Sequence, residues 1–349
     1  MVGPQLLPLN QLEHFYRGGS RIAEWRRAPG AGGPSRPEEW LASMTTMTSH
    51  AERGLSRLAD GTLLRDAVLR DPESWLGPAH VDAFGPSTEL LVKLLDAGQR
   101  LPVHLHPDRA FAARHLGIRH GKTEAWIVLD VDVGARVRLG FAEPTSSSRV
   151  RAMVDAKDTE ALVASLRAVD VRPGDAVLVP AGLPHCIDAG VFVLELQEPT
   201  DLSILLEAGD MALDVAREGH LGLGFEVALQ ALRVDVLDDA GLDNLVVRRE
   251  EAGGSGFVNV LPAGARPYFR AHRLDPAQAS PEVAAGFAVV AVTAGSGRLV
   301  AGSACALDIR RGDVAVVPFA AGRWHLEGAA QALVCRPPLP QDAGRQVRS

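Results

Sequence analysis

The chain has 349 residues, of which 46% are hydrophobic and 23% are charged, and its formal net charge at pH 7 is -7. This length and composition are typical of a soluble globular protein with enough apolar residues for the cores of two domains. The excess of acidic residues argues against a nucleic acid or an anionic membrane as the main partner, because both attract basic surfaces.

The first residues, the lack of a long apolar segment and the cysteines point to an intracellular protein. Residues 1–8 lack the basic start and the apolar run of a secretory signal, and no segment reaches the apolar length of a transmembrane helix. Cys186, Cys305 and Cys335 are widely spaced and odd in number, which favours reduced thiols over a disulfide framework. We therefore expect a cytoplasmic location and no membrane or nucleic-acid partner.

The lysines are rare and unevenly placed. Arginine outnumbers lysine 33 to 3, yet Lys93 and Lys122 lie on either side of a histidine motif at residues 102–107. An ammonium group can donate to a sugar oxygen and can shuttle a proton, whereas a guanidinium stays charged. We interpret both lysines as functional. The alternative is that Lys93 only ends a strand and that Lys122 lies in a solvated turn.

Three histidines and a carboxylate stand in patterned segments. His104 and His106 are two residues apart, so an extended strand presents both imidazoles on one face. Glu124 follows in the segment Gly121-Lys-Thr-Glu124, and His185 follows a predicted turn, a short buried strand over 176–179 and a second turn at 180–182. Three nitrogen ligands and one oxygen suit one divalent ion, zinc first, with iron, manganese, cobalt or nickel as alternatives.

The second half of the chain contains a weak internal repeat. The segment 312–318, Gly-Asp-Val-Ala-Val-Val-Pro, repeats 174–180, and His325 follows it as His185 follows the first copy. Strands are predicted over 287–292, 297–300 and 330–335, but this half has no His-x-His pair, so we expect a second barrel without metal. Between the halves, the apolar spacing predicts a helix over 212–234, although glycines at 219, 222 and 224 interrupt it. A shorter helix is predicted over 159–169.

The motifs resemble those of class I mannose-6-phosphate isomerases, which belong to the cupin superfamily. The segment 174–185 is the second cupin motif, and the seventeen residues between His106 and Glu124 distinguish this family from most cupins. Five further segments fit the same family: Pro37-Glu38-Glu-Trp40, Gly54-Leu-Ser, Asp60-Gly61, residues 90–97, and 193–197 with Asp201. The resemblance therefore covers residues 35–205 well.

The resemblance implies a mostly β fold of two cupin (jelly-roll) barrels with a helical segment between them. We divide the chain into an N-terminal region with a catalytic, metal-binding barrel (1–207), a helical connecting segment (208–250) and a degenerate second barrel (251–349). The implied activity is a metal-dependent interconversion of mannose 6-phosphate and fructose 6-phosphate through an enediol. The partner is then a small sugar phosphate, and the protein is a monomer or a small homo-oligomer.

The resemblance also suggests roles for individual residues. Lys93, Lys122 and Glu38 match pocket residues of the family, with Lys93 neutralising the enediolate or the phosphate and Lys122 taking part in ring opening or proton transfer. The general base stays open between Glu38, Lys122 and a metal-bound water. Without the resemblance, Glu38 has the simpler interpretation of a helix start, because Pro-Glu-Glu before an apolar run is common there.

The chain departs from the family pattern at the phosphate end of the pocket. His104 stands where longer relatives often have glutamine, and Pro102 stands where some have a phosphate-binding serine. The family's arginine-bearing segment has no counterpart, and Arg217 is the nearest basic candidate for substrate binding, with a solvated surface position as its alternative. Two other functions remain open from the sequence, a cupin dioxygenase with iron or copper and a noncatalytic sugar-phosphate sensor.

Overall fold

The structure is a computed structural model that describes residues 2–29, 33–48, 50, 52–211, 213–251, 256–276, 281–302 and 305–347. The strands of these residues pair in antiparallel fashion into four sheets, and the sheets form two barrels. The prediction of a mostly β fold with two cupin barrels is therefore confirmed.

The first barrel consists of a seven-stranded and a five-stranded sheet. In spatial order, the larger sheet contains Val246–Val247, Ala176–Val179, Glu124–Val131, Val191–Gln197, Leu91–Asp96, Glu38–Leu41 and Gln11–Leu12. The smaller sheet contains Ile204–Leu205, His104–Leu105, His185–Ile187, Arg136–Phe141 and Leu166–Asp170. Buried side chains from both sheets, among them Leu95, Trp126 and Leu139, pack together between them.

The second barrel consists of a six-stranded and a three-stranded sheet. The larger contains Gln5–Leu6, Val314–Val317, Ala288–Ala294, Gln331–Arg336, Arg270–Asp275 and Gly256–Asn259. The smaller contains Cys305–Arg310, Ser296–Ala301 and Trp324–Gly328. The strands predicted over 287–292, 297–300 and 330–335 are present, and the strand at the start of the chain, Gln5–Leu6, crosses over to pair with Val314–Val317.

Short helices surround the barrels. The α-helices are Arg21–Trp25, Leu64–Arg70, Pro72–Leu76, Pro78–Phe84, Arg109–Leu116, Ser147–Ala156, Thr159–Ser165, Val215–Glu218, Phe225–Ala228 and Asp239–Asp243. The 3-10 helices are Leu229–Ala231, Ala263–Ala265, Phe319–Ala321 and Pro340–Val347. None of the helices in the described part of the chain has the length and apolar character needed to cross a bilayer.

Two helix predictions need correction. The segment 212–234 is not one helix, because Gly222 and Gly224 have φ values of 78° and 74°, which a right-handed helix does not allow. Val215–Glu218 and Phe225–Ala228 remain as separate turns, and Ala212 lies outside the described residues. The predicted helix over 159–169 ends at Ser165, where the chain enters the strand Leu166–Asp170.

The larger sheets have apolar side chains on both faces. Along Leu91–Asp96, Val92 and Leu94 face outward and belong to the same buried apolar cluster as Val314 and Val316 of the second barrel. Leu95 packs inward, into the core of the first barrel, and Lys93 has the same parity. The alternation of the strand therefore places a lysine on the inner wall of an apolar barrel.

Candidate metal centre and its cavity

Three imidazoles meet inside the first barrel. His104 and His185 are directly paired across two antiparallel strands, and their ring centroids lie 4.2 Å apart. His106 follows just after its strand ends, with its ring centroid 4.9 Å from each of the other two. The ligand nitrogens of the three side chains all lie within 4.8 Å of one another, which is the grouping that the His-x-His pattern predicts.

The residues between His106 and Glu124 form a closed loop. The loop contains the helix Arg109–Leu116, which begins after Asp108, whose carboxylate accepts a hydrogen bond from the Phe111 amide at 2.7 Å. The Lys122 amide donates to the Pro107 carbonyl at 3.0 Å and closes the loop. Residues that are distant in sequence, Lys122 and Glu124, thereby come to lie beside His106.

The hydrogen bonds of the imidazoles decide which nitrogen is free. The Nδ1 atoms of His104, His106 and His185 each lie 2.8 Å from a backbone carbonyl, those of Pro102, Leu202 and Leu183 respectively. A carbonyl only accepts, so each Nδ1 carries the proton and each Nε2 has a free lone pair. A backbone carbonyl on the far nitrogen is the usual arrangement of a metal-binding histidine.

Glu124 completes a ligand set that fits a divalent cation. Its Oε2 lies 3.0 Å from His106 Nε2, and its Oε1 lies 3.4 Å from His185 Nε2. The Trp126 indole donates to Oε1 at 3.0 Å and orients the carboxylate. Glu124 Oε2 and His185 Nε2 are buried and have no hydrogen bond within the described residues, and buried lone pairs of this kind require a cation.

The Lys122 ammonium contacts the same atoms. Its Nζ lies 3.0 Å from His106 Nε2 and 3.1 Å from Glu124 Oε2, and the residue is 5% exposed. The Lys122 charge therefore lies beside two of the donor atoms that suit a metal ion, His106 Nε2 and Glu124 Oε2. The arrangement also places a proton-carrying group against the predicted ligands.

The protonation states agree with this interpretation. Burial and the neighbouring His185 lower the pKa of His104 well below its usual value, and burial and the Lys122 charge lower that of His106 to about 3. Burial alone would raise the pKa of Glu124, but Lys122 and His106 lower it well below its usual value. Neutral imidazoles and an ionised carboxylate are the forms that bind a metal.

A second cluster of charges lies on the neighbouring strands. Lys93 is paired in register with Glu195 on one side and with Trp40 on the other. Its Nζ lies 3.3 Å from Glu38 Oε2, 3.8 Å from Glu195 Oε1 and 4.8 Å from the centre of the Trp40 ring. Glu38 also accepts hydrogen bonds from Tyr16 and, at 2.6 Å, from Trp40. Glu38 therefore lies in a strand, not at a helix start, and it fixes Lys93.

The two carboxylates beside Lys93 differ in protonation. Burial alone would raise the pKa of Glu38, but His14 and Lys93 lower it well below its usual value. Burial and the Glu124 charge raise the pKa of Glu195 to about 8. Burial alone would lower the pKa of Lys93, but Glu38 and Glu195 raise it. Near neutral pH the cluster thus contains a carboxylate, an ammonium and a carboxylic acid.

Most of these groups line one cavity of about 480 Å³. Of the predicted site residues, Lys93, Lys122, Glu38, His104 and Glu124 line the cavity. Together with His106 and His185, they are brought to one region of the barrel.

Arg217 is not brought there. It is exposed on the helix Val215–Glu218 and does not line the cavity, because the segment that bears it lies on the surface. Arg217 therefore has the solvated surface position that the sequence offered as the alternative to substrate binding.

Some cavity residues were not selected from the sequence. Glu195 belongs to the 193–197 motif, and a charged residue within the apolar strand Val191–Gln197 is a sequence signal of a functional position. Tyr16, His14 and Arg53 carry no local signal, since they come from loops that the fold brings to the cavity.

His325 and Cys186, which the sequence analysis weighed as possible ligands or neighbours of ligands, lie outside the cavity. In the second barrel, His325 lies 3.5 Å from Glu327 and its side chain is 31% exposed. The expected absence of metal there stays a prediction. Cys186, beside His185, points the opposite way into an apolar core, as strand alternation predicts.

Comparison with known sequences finds relatives that are named mannose-6-phosphate isomerases. A mannose-6-phosphate isomerase from Streptococcus mutans is 30% identical over 254 residues, which cover 71% of this chain and 75% of the relative. A mannose-6-phosphate isomerase from Bacillus subtilis is 29% identical over 253 residues, covering 72% of this chain and 75% of the relative. A scan against models of protein families finds no match.

Comparison with solved structures gives the same fold over nearly the whole chain. The mannose 6-phosphate isomerase from Bacillus subtilis has a TM-score of 0.71 at 22% identity, covering 96% of this chain and 100% of the other. The enzyme from Salmonella typhimurium has a TM-score of 0.72 at 15% identity, covering 97% and 100%. At these identities the structural likeness concerns the fold.

Proposed function

This chain belongs to the mannose-6-phosphate isomerase family, and we propose that it interconverts mannose 6-phosphate and fructose 6-phosphate with one bound divalent ion. The observation that carries the proposal is the convergence of His104, His106, His185 and Glu124, with their free Nε2 and carboxylate atoms turned toward one another. Two buried lysines, Lys93 and Lys122, line the same cavity and can supply positive charge and a proton carrier.

We assign the ion to His104, His106, His185 and Glu124, with zinc as the first candidate because three nitrogens and one oxygen are a common zinc ligand set. When bound, such an ion polarises a sugar oxygen and stabilises negative charge that develops on it. The backbone carbonyls on the three Nδ1 atoms and the Trp126 indole on Glu124 hold the ligands in orientation, which supports tight binding.

Lys122 is the residue we assign to proton transfer. Moving between an aldose and a ketose transfers a proton between C1 and C2 through an enediol, while O1 and O2 exchange protons. The Lys122 ammonium is buried at the edge of the ligand group and lines the cavity, so it lies where the sugar oxygens would be held. Its flexible stem also lets it reach more than one oxygen.

Lys93 and its two carboxylates have different tasks in this scheme. Glu38 already accepts hydrogen bonds from Tyr16 and Trp40, and its pKa is held well below the usual value, so it is a poor base and serves to hold Lys93. The Lys93 ammonium then offsets the negative charge of the enediolate. Glu195, whose Oε1 has no hydrogen bond within the described residues, is protonated near neutral pH and is a second proton donor facing the sugar.

A coupled assay of purified protein of known metal content tests the proposal. Mannose 6-phosphate should be converted to fructose 6-phosphate, while glucose 6-phosphate and unphosphorylated mannose should react far more slowly. Removal of the ion by a chelator should abolish the activity, and zinc should restore it. Metal-loaded protein that binds mannose 6-phosphate without converting it would contradict the isomerase function and support the sensor.

A further inference from the structure

The cavity contains few positive charges that are free to bind an anion. Among its lining residues, the cations are Lys93, Lys122 and Arg53. The Lys93 ammonium lies 3.3 Å from Glu38 and 3.8 Å from Glu195, and the Lys122 ammonium lies 3.1 Å from Glu124. Each lysine therefore already has an ionised carboxylate beside it, Glu38 for Lys93 and Glu124 for Lys122, and a phosphate dianion needs a further positive charge.

The apolar part of the cavity lining cannot provide it. It includes the side chains of Leu95, Leu101, Pro102, Ile187 and Leu205. A phosphate placed against them would lose its hydration without gaining a hydrogen-bond donor from these side chains. The charged end of the substrate must therefore point to another part of the lining.

Arg53 is the cavity cation with side-chain donors that make no hydrogen bond to the described residues. Its Nη2 donates to the Glu13 backbone carbonyl at 2.6 Å and lies 3.9 Å from the Glu13 carboxylate, which is the limit of an ion pair. The Glu13 side chain is 57% exposed and also lies 3.4 Å from Arg36, so its hold on Arg53 is weak. A guanidinium has five N–H groups, and its planar fork matches two phosphate oxygens.

The backbone of Arg53 is fixed to the same cluster that holds Lys93. The next residue, Gly54, has a φ of 107°, and a Cβ there would lie 2.7 Å from the Trp40 ring. Only glycine therefore lets the chain lie against Trp40, which donates in turn to Glu38. The Asn10 side chain donates to the Gly54 carbonyl at 2.9 Å, and the Arg53 carbonyl accepts from the Met47 amide at 2.8 Å.

We propose that Arg53 binds the phosphate of the substrate and makes the site selective for phosphorylated sugars. This inference rests on the proposed function, because it presumes a sugar phosphate in the cavity. It assigns the phosphate end of the pocket to the segment before Gly54, and not to Arg217, which is exposed elsewhere. His50 lines the same cavity and is exposed, so the phosphate would lie toward solvent.

Direct binding measurements on metal-loaded protein test the assignment. The affinity for mannose 6-phosphate and for mannose is measured by calorimetry for the wild type, Arg53→Gln, Arg53→Lys and Arg36→Gln. Arg36 is the matched control, because it is also an arginine beside the Glu13 carboxylate but does not line the cavity. Thermal unfolding of each variant confirms that it is folded.

We expect Arg53→Gln to bind mannose 6-phosphate roughly ten- to a hundredfold more weakly, the scale of a lost charge-assisted pair, and to bind mannose as the wild type does. Arg53→Lys should fall between the two, and Arg36→Gln should match the wild type. Unchanged affinity of Arg53→Gln for mannose 6-phosphate would overturn the assignment. Equal losses for both sugars would also overturn it, since they indicate a structural role.

These measurements separate this inference from the proposed function. The affinity is a separate readout from turnover, so protein that binds mannose 6-phosphate through Arg53 but does not isomerise it would leave the assignment standing and refute the isomerase. Wild-type protein that does not prefer mannose 6-phosphate to mannose would refute the assignment even if the sugar is isomerised.

Discussion

Replacing Lys122 by arginine separates its proposed role in proton transfer from the binding of metal. Lys122 is one of three lysines in the chain, and its Nζ lies 3.0 Å from His106 Nε2 and 3.1 Å from Glu124 Oε2. Arginine keeps the positive charge but is bulkier and does not release a proton near neutral pH. The predicted metal ligands are other residues, so the ion should remain.

The expected size of the effect follows from the position of the ammonium. Lys122 is 5% exposed, so bulk water has little access to take over its proton transfer. Loss of a positioned acid or base lowers turnover by about a hundredfold or more, and we expect about a hundredfold because the charge is kept. This corresponds to about 2.7 kcal/mol in the activation free energy, at about 1.36 kcal/mol for each factor of ten.

The assay combines steady-state kinetics with metal analysis of the same preparation. Lys157→Arg is the matched control, because Lys157 is exposed after the helix Ser147–Ala156 and does not line the cavity of the candidate metal centre. Lys122→Arg should keep its metal and lose turnover, while Lys157→Arg should keep both. If Lys122→Arg retains turnover within a few-fold, Lys122 is not the proton carrier; if it loses the ion, the residue acts on the ligands instead.

Four further substitutions test other parts of the protein. His185→Ala should lose both metal and activity, and full metal occupancy in this variant would show that His185 is not a ligand. His325→Ala should keep turnover within a few-fold, and a second ion bound near His325 would refute the prediction of a second barrel without metal. Lys93→Arg should raise the KM for mannose 6-phosphate more than it lowers kcat, and the reverse pattern in steady-state kinetics would contradict an electrostatic role. Because burial raises the pKa of Glu195 to about 8, the folded protein keeps a proton that the unfolded chain releases above its ordinary pKa of 4.5, so stability falls as pH rises between these values. Glu195→Gln should reduce this fall in the melting temperature of the metal-free protein, and an unchanged pH dependence would show that Glu195 is ionised.

The sequence alone predicts the metal group because strand geometry is local. His104 and His106 share a face through a spacing of two, and the repeated Gly-Asp motif at 174 and 312 marks the corresponding strand in each barrel. The same reasoning correctly turns Cys186 away from the site. Each of these features depends on residues within a few positions of one another.

Features that depend on tertiary contact are not predictable in this way. Arg53 and Tyr16 reach the cavity because Gly54 packs on Trp40 and because Tyr16 donates to Glu38, and neither contact has a periodic signal. The helix predicted over 212–234 fails for a related reason, since apolar spacing does not reveal the positive φ of Gly222 and Gly224. The pairing of the strand Gln5–Leu6 with the second barrel likewise joins residues some three hundred positions apart.

Isotope exchange tests the isomerase chemistry most directly. Metal-loaded protein is incubated with fructose 6-phosphate in deuterated water, and the mannose 6-phosphate formed is analysed by NMR for deuterium at C2. An enediol route moves the proton through a group of the protein that exchanges with water, so deuterium should appear at C2. Protein that binds the metal and the sugar phosphate, yet gives neither product nor exchange, would contradict the account.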